Sequence, residues 1–243
     1  MITFMISILL LLIALFSAVT VSSSPPISHL HWHQWFFLFL ISGFLGCLFE
    51  MGIVWLGTGV LMSRSSLLYG AISIVWGLGA VLMTLVLVPL RRYGQWAVFT
   101  CGAILGGGFE YLASLLLELV FHRLFWDYSH LPLNLDGRTN LLYAVFWGLA
   151  GTIWVYWLAP HMLRLAEKIS CKNRQAVFAG LAVLLAFDMA LSAAAFWRMD
   201  ERRRGYVPSN HLECMLDTWY GDQTMHQRYP NMILPILSSS TPV

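Results

Sequence analysis

Arg64-Ser65-Ser66-Leu67-Leu68-Tyr69, followed by Trp76-Gly77-Leu78, returns as Arg138-Thr139-Asn140-Leu141-Leu142-Tyr143, followed by Trp147-Gly148-Leu149. A Phe-Glu pair precedes each copy, Phe49-Glu50 and Phe109-Glu110. Each copy therefore sets an acid inside one apolar run and an arginine just ahead of the next. Runs of about 20 apolar residues are long enough to cross a bilayer, and an ionisable side chain within one has to face a bundle interior. The fold class that follows is all-α: a polytopic integral membrane helix bundle of about six transmembrane helices, with a parallel internal repeat of helix pairs. Two crossings separate the copies, so both have the same orientation, as in transporters whose halves are related by an axis along the membrane normal.

The composition agrees. Only 11% of the 243 residues are charged and 58% are hydrophobic, with a mean hydropathy of +0.70, whereas soluble domains carry about 25% charged residues. A net charge of +2 gives no reason to invoke nucleic acid as a partner. Cys47, Cys101, Cys171 and Cys214 form no Cys-x-x-Cys pair, which argues against a zinc site or a disulfide framework. His29, His31 and His33 alternate without a nearby thiol or carboxylate to complete a metal site. The chain has no Gly-x-x-x-x-Gly-Lys-Ser/Thr loop for ATP hydrolysis, and no Gly-x-Ser-x-Gly elbow or His-Glu-x-x-His pair. No pattern calls for a cofactor.

Spans are expected near 3–22, 34–61, 67–89, 95–120, 139–160 and 176–197. The first run has no Lys or Arg before it, unlike most secretory signals, so 1–30 reads as a retained helix or signal-like extension. Residues 31–197 form the multi-pass domain and 198–243 a polar tail. Segment 161–175 aligns Met162, Leu165, Ala166 and Ile169 on one helical face, as in a membrane-surface helix or a docking element for a soluble partner.

Glu50 and Glu110 fall mid-span, Ser114 and Glu118 follow on one face of the second acidic span, and Asp188 lies midway along the last. A carboxylate at the bilayer centre costs on the order of 3 kcal/mol. Two readings follow: a polar path for protons, ions or substrate, or an ion-pair lock between helices, for example Glu50 or Glu110 with Arg64 or Arg138. Gly43, Gly46, Gly106, Gly107 and Gly108 precede the two acids and suit close helix approach. The connector Trp126-Asp127-Tyr128-Ser129-His130-Leu131-Pro132-Leu133-Asn134-Leu135-Asp136-Gly137-Arg138 reads either as a pore-mouth loop or as an interfacial turn anchored by Trp126 and Tyr128.

Several of these residues resemble the bacterial family labelled putative ABC-transporter type IV. They are Ser63-Arg64-Ser65-Ser66-Leu67-Leu68-Tyr69-Gly70, Trp76-Gly77-Leu78-Gly79, Phe109-Glu110-Tyr111 and Trp126-Asp127-Tyr128-Ser129. Pro132, Asn134, Gly137-Arg138, Trp147-Gly148 and Pro230-Asn231-Met232 also fit, as do Asp188, Ser192, Arg198 and Arg202. The resemblance covers about 34–232, and Ala71 stands where the family pattern has Pro. It implies a multi-pass permease subunit in the bacterial cytoplasmic membrane, served by a separate ATPase subunit. Lipid and a second copy of the chain are the other expected partners. On that reading Glu50, Glu110 and Asp188 line the path, with Arg64 and Arg138 neutralising them or binding an anionic group at the mouth. A membrane-embedded enzyme acting on a lipid or lipid-linked substrate, and a structural or regulatory subunit, remain as alternatives.

Overall fold

The computed structural model describes residues 30–168 and 174–233; the expected first span, 3–22, lies outside them. Long apolar runs without internal prolines become long helices: α1 (Trp32–Thr58) and α3 (Gln95–Phe121). At 1.5 Å per residue, their 27 residues reach about 40 Å, more than the hydrocarbon core. Among the described residues, four helices are long and apolar enough to cross a membrane: Trp32–Thr58, Gln95–Phe121, Leu141–Lys168 and Gln175–Arg203. A shorter apolar helix, α2 (Ile74–Leu87), sits between the first two.

The third expected span began at Leu67, but α2 begins seven residues later. Residues 65–73 are instead a tight loop, and Ser73 caps the helix by accepting from the Trp76 amide. Two serines fold the loop back on itself. Ser65 Oγ accepts from the Leu67 amide (3.0 Å) and reaches the carbonyls of Leu67, Gly70 and Ile72. Ser66 Oγ accepts from the Ile74 amide at 3.0 Å. Side chains that bond nearby backbone compete with helix formation. The second Leu-Leu-Tyr behaves differently: Leu141–Tyr143 is the first turn of α4 (Leu141–Ile153), capped by Asn140.

α4 continues through a wide π turn, Trp154–Leu158, into α5 (Ala159–Lys168). Pro160 lacks the N–H that would bond the previous turn, and a widened turn accommodates that loss. Segment 161–168 therefore extends a spanning helix. Its buried side runs through Leu163 and Ala166, while Leu165 is exposed, which differs from the face expected from sequence. Residues 169–173 lie outside the described residues. α6 (Arg174–Arg203) follows, then two short helices, α7 (His211–Trp219) and α8 (Asp222–Arg228). A two-stranded antiparallel ribbon, Asn134–Leu135 with Thr139–Asn140, closes the 122–140 connector.

α1 packs on α2, and α3 packs on α4. Both pairs are seated by glycine against an aromatic ring. A Cβ on Gly46 would collide with Trp76, and one on Gly106 with Trp147. In return, a Cβ on Gly77 would lie 2.8 Å from Phe39, and one on Gly148 2.8 Å from the Phe99 carbonyl. Gly106→Ala should therefore force α3 and α4 apart and cost about 1–3 kcal/mol, as overpacking does. Gly108→Ala, whose Cβ meets nothing within 4 Å, should be neutral or slightly stabilising. Thermal midpoints in one detergent compare the two; equal effects would contradict this account of the packing.

The bundle has apolar cores, yet it also exposes large apolar side chains and buries several polar ones. Ile104, Leu112, Leu116, Leu119, Val183, Leu184 and Phe187 are exposed, whereas Thr84, Glu110, Ser114, Thr152, Asp188 and Ser192 are buried.

Candidate functional site

Glu110 lies on the inner face of α3 and is buried. Its Oε1 accepts from the Tyr128 hydroxyl at 3.0 Å and its Oε2 from the Thr139 hydroxyl at 2.9 Å. The Trp147 indole stands beside the same carboxylate, and its buried Nε1 has no hydrogen-bond partner that meets ordinary geometry. The hydroxyls that donate to Glu110 are neutral, and they can hold a carboxyl group without a counter-cation. Tyr128 stacks on Tyr143 with ring centroids 4.3 Å apart. Burial, then the neighbouring Glu110 charge, holds the Tyr128 phenol well above its ordinary range, so it remains a donor.

Glu50 occupies the matching place on α1, beside the Trp76 indole. The two acids meet at one seam. Trp76 and Trp147 have centroids 5.3 Å apart, Phe49 and Phe146 6.3 Å, and the charge of Glu50 acts on Glu110, Tyr128 and Tyr143. Arg64 lies near enough to act on Glu50 and Tyr143, and its buried Nε has no hydrogen-bond partner among the described residues.

Arg138, expected near Glu110, pairs with Glu118 instead and donates to Ser114 Oγ at 3.3 Å. Glu118 is two turns further along α3, within reach of Arg138 in the turn that joins the two strands. That lock is half-exposed, and Glu110 is left out of it. Other bonds fold the connector on itself, while Asp136 accepts from the Tyr111 hydroxyl of α3 at 2.8 Å. Trp126 Nε1 donates to the Arg138 carbonyl at 2.9 Å. Asp127 accepts from the Ser129 amide and hydroxyl. Asn134 accepts from the Gly137 amide and donates to the Leu131 carbonyl. Gly137 takes φ +68°, and a Cβ there would stand 2.6 Å from Asp127 Oδ1. Trp126, Asp127 and Asn134 therefore shape the connector, and Tyr128 is what it inserts into the bundle.

Asp188 is placed apart from the two glutamates. It accepts from the Tyr69 amide at 3.2 Å and the Gly70 amide at 2.7 Å, while Ser192 Oγ takes the Leu68 amide at 3.0 Å. Arg228 of α8 covers the opposite polarity, donating to the carbonyls of Leu67 and Gly70. Arg198 is buried and tied to the tail: Nε and Nη2 grip Asp217 at 2.9 and 2.8 Å, and Nη1 bonds Glu201 at 2.9 Å. Arg202 adds bonds to Asp217 and Asp222. Hydrogen bonds from Arg198 hold the Asp217 carboxyl below the usual carboxylate range.

Thr139, Tyr143, Trp76, Trp147 and Arg228 were not singled out from sequence as site residues. The duplicated tryptophans were the available signal for two of them.

A family model described as putative ABC-transporter type IV matches residues 37–193. No curated protein and no solved structure matches the chain.

Proposed function

We propose that this chain, which belongs to the putative ABC-transporter type IV family, is the membrane-embedded subunit of a transporter, with its path at the seam between the α1–α2 and α3–α4 pairs. The observation that carries this is Glu110: a buried carboxylate held only by neutral donors. Glu50, Glu110 and Arg64 together leave that seam one negative charge in excess when all are ionised. A site of that charge, walled by aromatic rings, is suited to the passage of positive charge, as protons or as a cationic cargo. The matched contacts Gly46–Trp76 and Gly106–Trp147 support descent of the two pairs from one duplicated unit. A sixth span at 3–22 and a bacterial cytoplasmic membrane belong to the same proposal.

A structural subunit is the second reading. It is favoured by Asp188, Arg138 and Arg198, each of which is engaged in holding one segment to another.

The family description implies a separate ATPase subunit, and this is the first thing to test. Gentle detergent purification from native membranes, followed by mass spectrometry, should return such a subunit in stoichiometric amount. Purification of the chain alone, from membranes in which other transporter complexes stay intact, would overturn the ATPase-coupled form of the proposal.

A further inference from the structure

The apolar helix Gln175–Arg203 has 29 residues, about 43 Å at 1.5 Å per residue. The hydrocarbon core is about 30 Å thick and the whole bilayer about 40–45 Å. The last turns of α6, from about Arg198 onward, therefore lie at headgroup depth. α7 is fastened to those turns by the grip of Arg198 and Arg202 on Asp217, so it shares their depth.

The nine residues of α7 sort into three faces. Glu213, Leu216 and Asp217 turn towards the protein; Leu216 is 6% exposed and Asp217 is held by the two arginines. His211, Cys214 and Thr218 are exposed and polar or small. Leu212, Met215 and Trp219, three and four residues apart, form an exposed apolar face, at 63%, 46% and 67%. Tyr206 and Val207 extend it, and the exposed Trp197 on α6 stands one turn inside.

We propose that α7 is an in-plane interfacial helix whose Leu212–Met215–Trp219 face is sunk into the headgroup–acyl boundary of the bilayer. Lipid is the occupant because α7 is clamped to the last turns of an apolar helix long enough to cross a membrane, and because tryptophan and tyrosine favour the interfacial layer. The anchor reaches the interior. Tyr220, at the end of α7, meets Tyr69 hydroxyl to hydroxyl at 2.6 Å, on the loop that Asp188 holds.

The test uses the full chain in phospholipid nanodiscs, with single spin labels at Leu212→Cys, Met215→Cys, Trp219→Cys or the native Cys214, other cysteines being replaced. The ratio of oxygen to nickel-chelate accessibility should be several-fold higher at 212, 215 and 219 than at 214. Nickel access at 212, 215 and 219 equal to that at Cys214 would overturn the proposal and leave the face in water. Labels shielded from both reagents would overturn it in favour of a protein contact.

Discussion

Asp188→Ala should sharply lower both the recovery and the thermal midpoint of the folded protein. Two amides, those of Tyr69 and Gly70, lose their acceptor, and Ser192 loses the carboxylate beside its hydroxyl. Water cannot replace an acceptor inside an apolar bundle, and each unsatisfied group costs about 1–3 kcal/mol. Two amides put the loss at about 2–6 kcal/mol, a large share of the roughly 5–15 kcal/mol by which a domain is stable. The loop they belong to sets the start of α2, so the damage extends to the α1–α2 pair. Asp188→Asn keeps one acceptor oxygen and should fall between the two. Yield of monodisperse protein and thermal midpoint in detergent give the readout. An alanine variant that melts with the wild type would show that the loop is held by its own serines and Arg228 alone.

What could be read from the sequence divides along contact distance. Helix interiors were visible because apolar length is local: α1 and α3 lie close to their expected bounds, while α6 runs six residues beyond 197 to Arg203. The start of α2 was not, because Leu67-Leu68-Tyr69 looks like any apolar run. What takes those amides out of a helix is a carboxylate more than a hundred residues further on. The two glutamates were visible as costly residues in apolar runs, but their donors were not. Tyr128 and Thr139 reach Glu110 only because Gly137 and Asn134 bend the connector back over α3. Arg138 was read from sequence as a partner for Glu50 or Glu110 or as a contact for an anionic group; in the fold it reaches from the connector turn to Glu118 on α3. Register along α3, which puts Glu118 rather than Glu110 within reach of Arg138, is set by the packing of Gly106 on Trp147. From sequence, 198–243 was only a polar tail; the clamp of Arg198 and Arg202 on Asp217 exists because that tail folds back on α6.

Glu110→Gln should leave the protein inserted and folded while removing its function. Glutamine is nearly isosteric, and its carbonyl still accepts from one neighbouring hydroxyl. Its NH2 can donate to the other, since the Tyr128 and Thr139 oxygens accept as well as donate. The cradle is thus satisfied in either form, and what disappears is the charge. If positive charge passes along the seam, the variant removes a buried acid there that is held by neutral donors, and activity should fall tenfold or more, about 1.4 kcal/mol. The comparison is the difference in metabolite profile between cells with and without the chain, which wild-type protein should restore and Glu110→Gln should not. Glu118→Gln is the control, because Glu118 pairs with Arg138 away from the seam residues Glu110 and Glu50. Full restoration by Glu110→Gln would remove this carboxylate from any proton or ion role and leave the structural reading in possession. Loss of folded protein in Glu110→Gln but not in Glu118→Gln would point the same way, since it would make the carboxylate a fixture of packing rather than of passage.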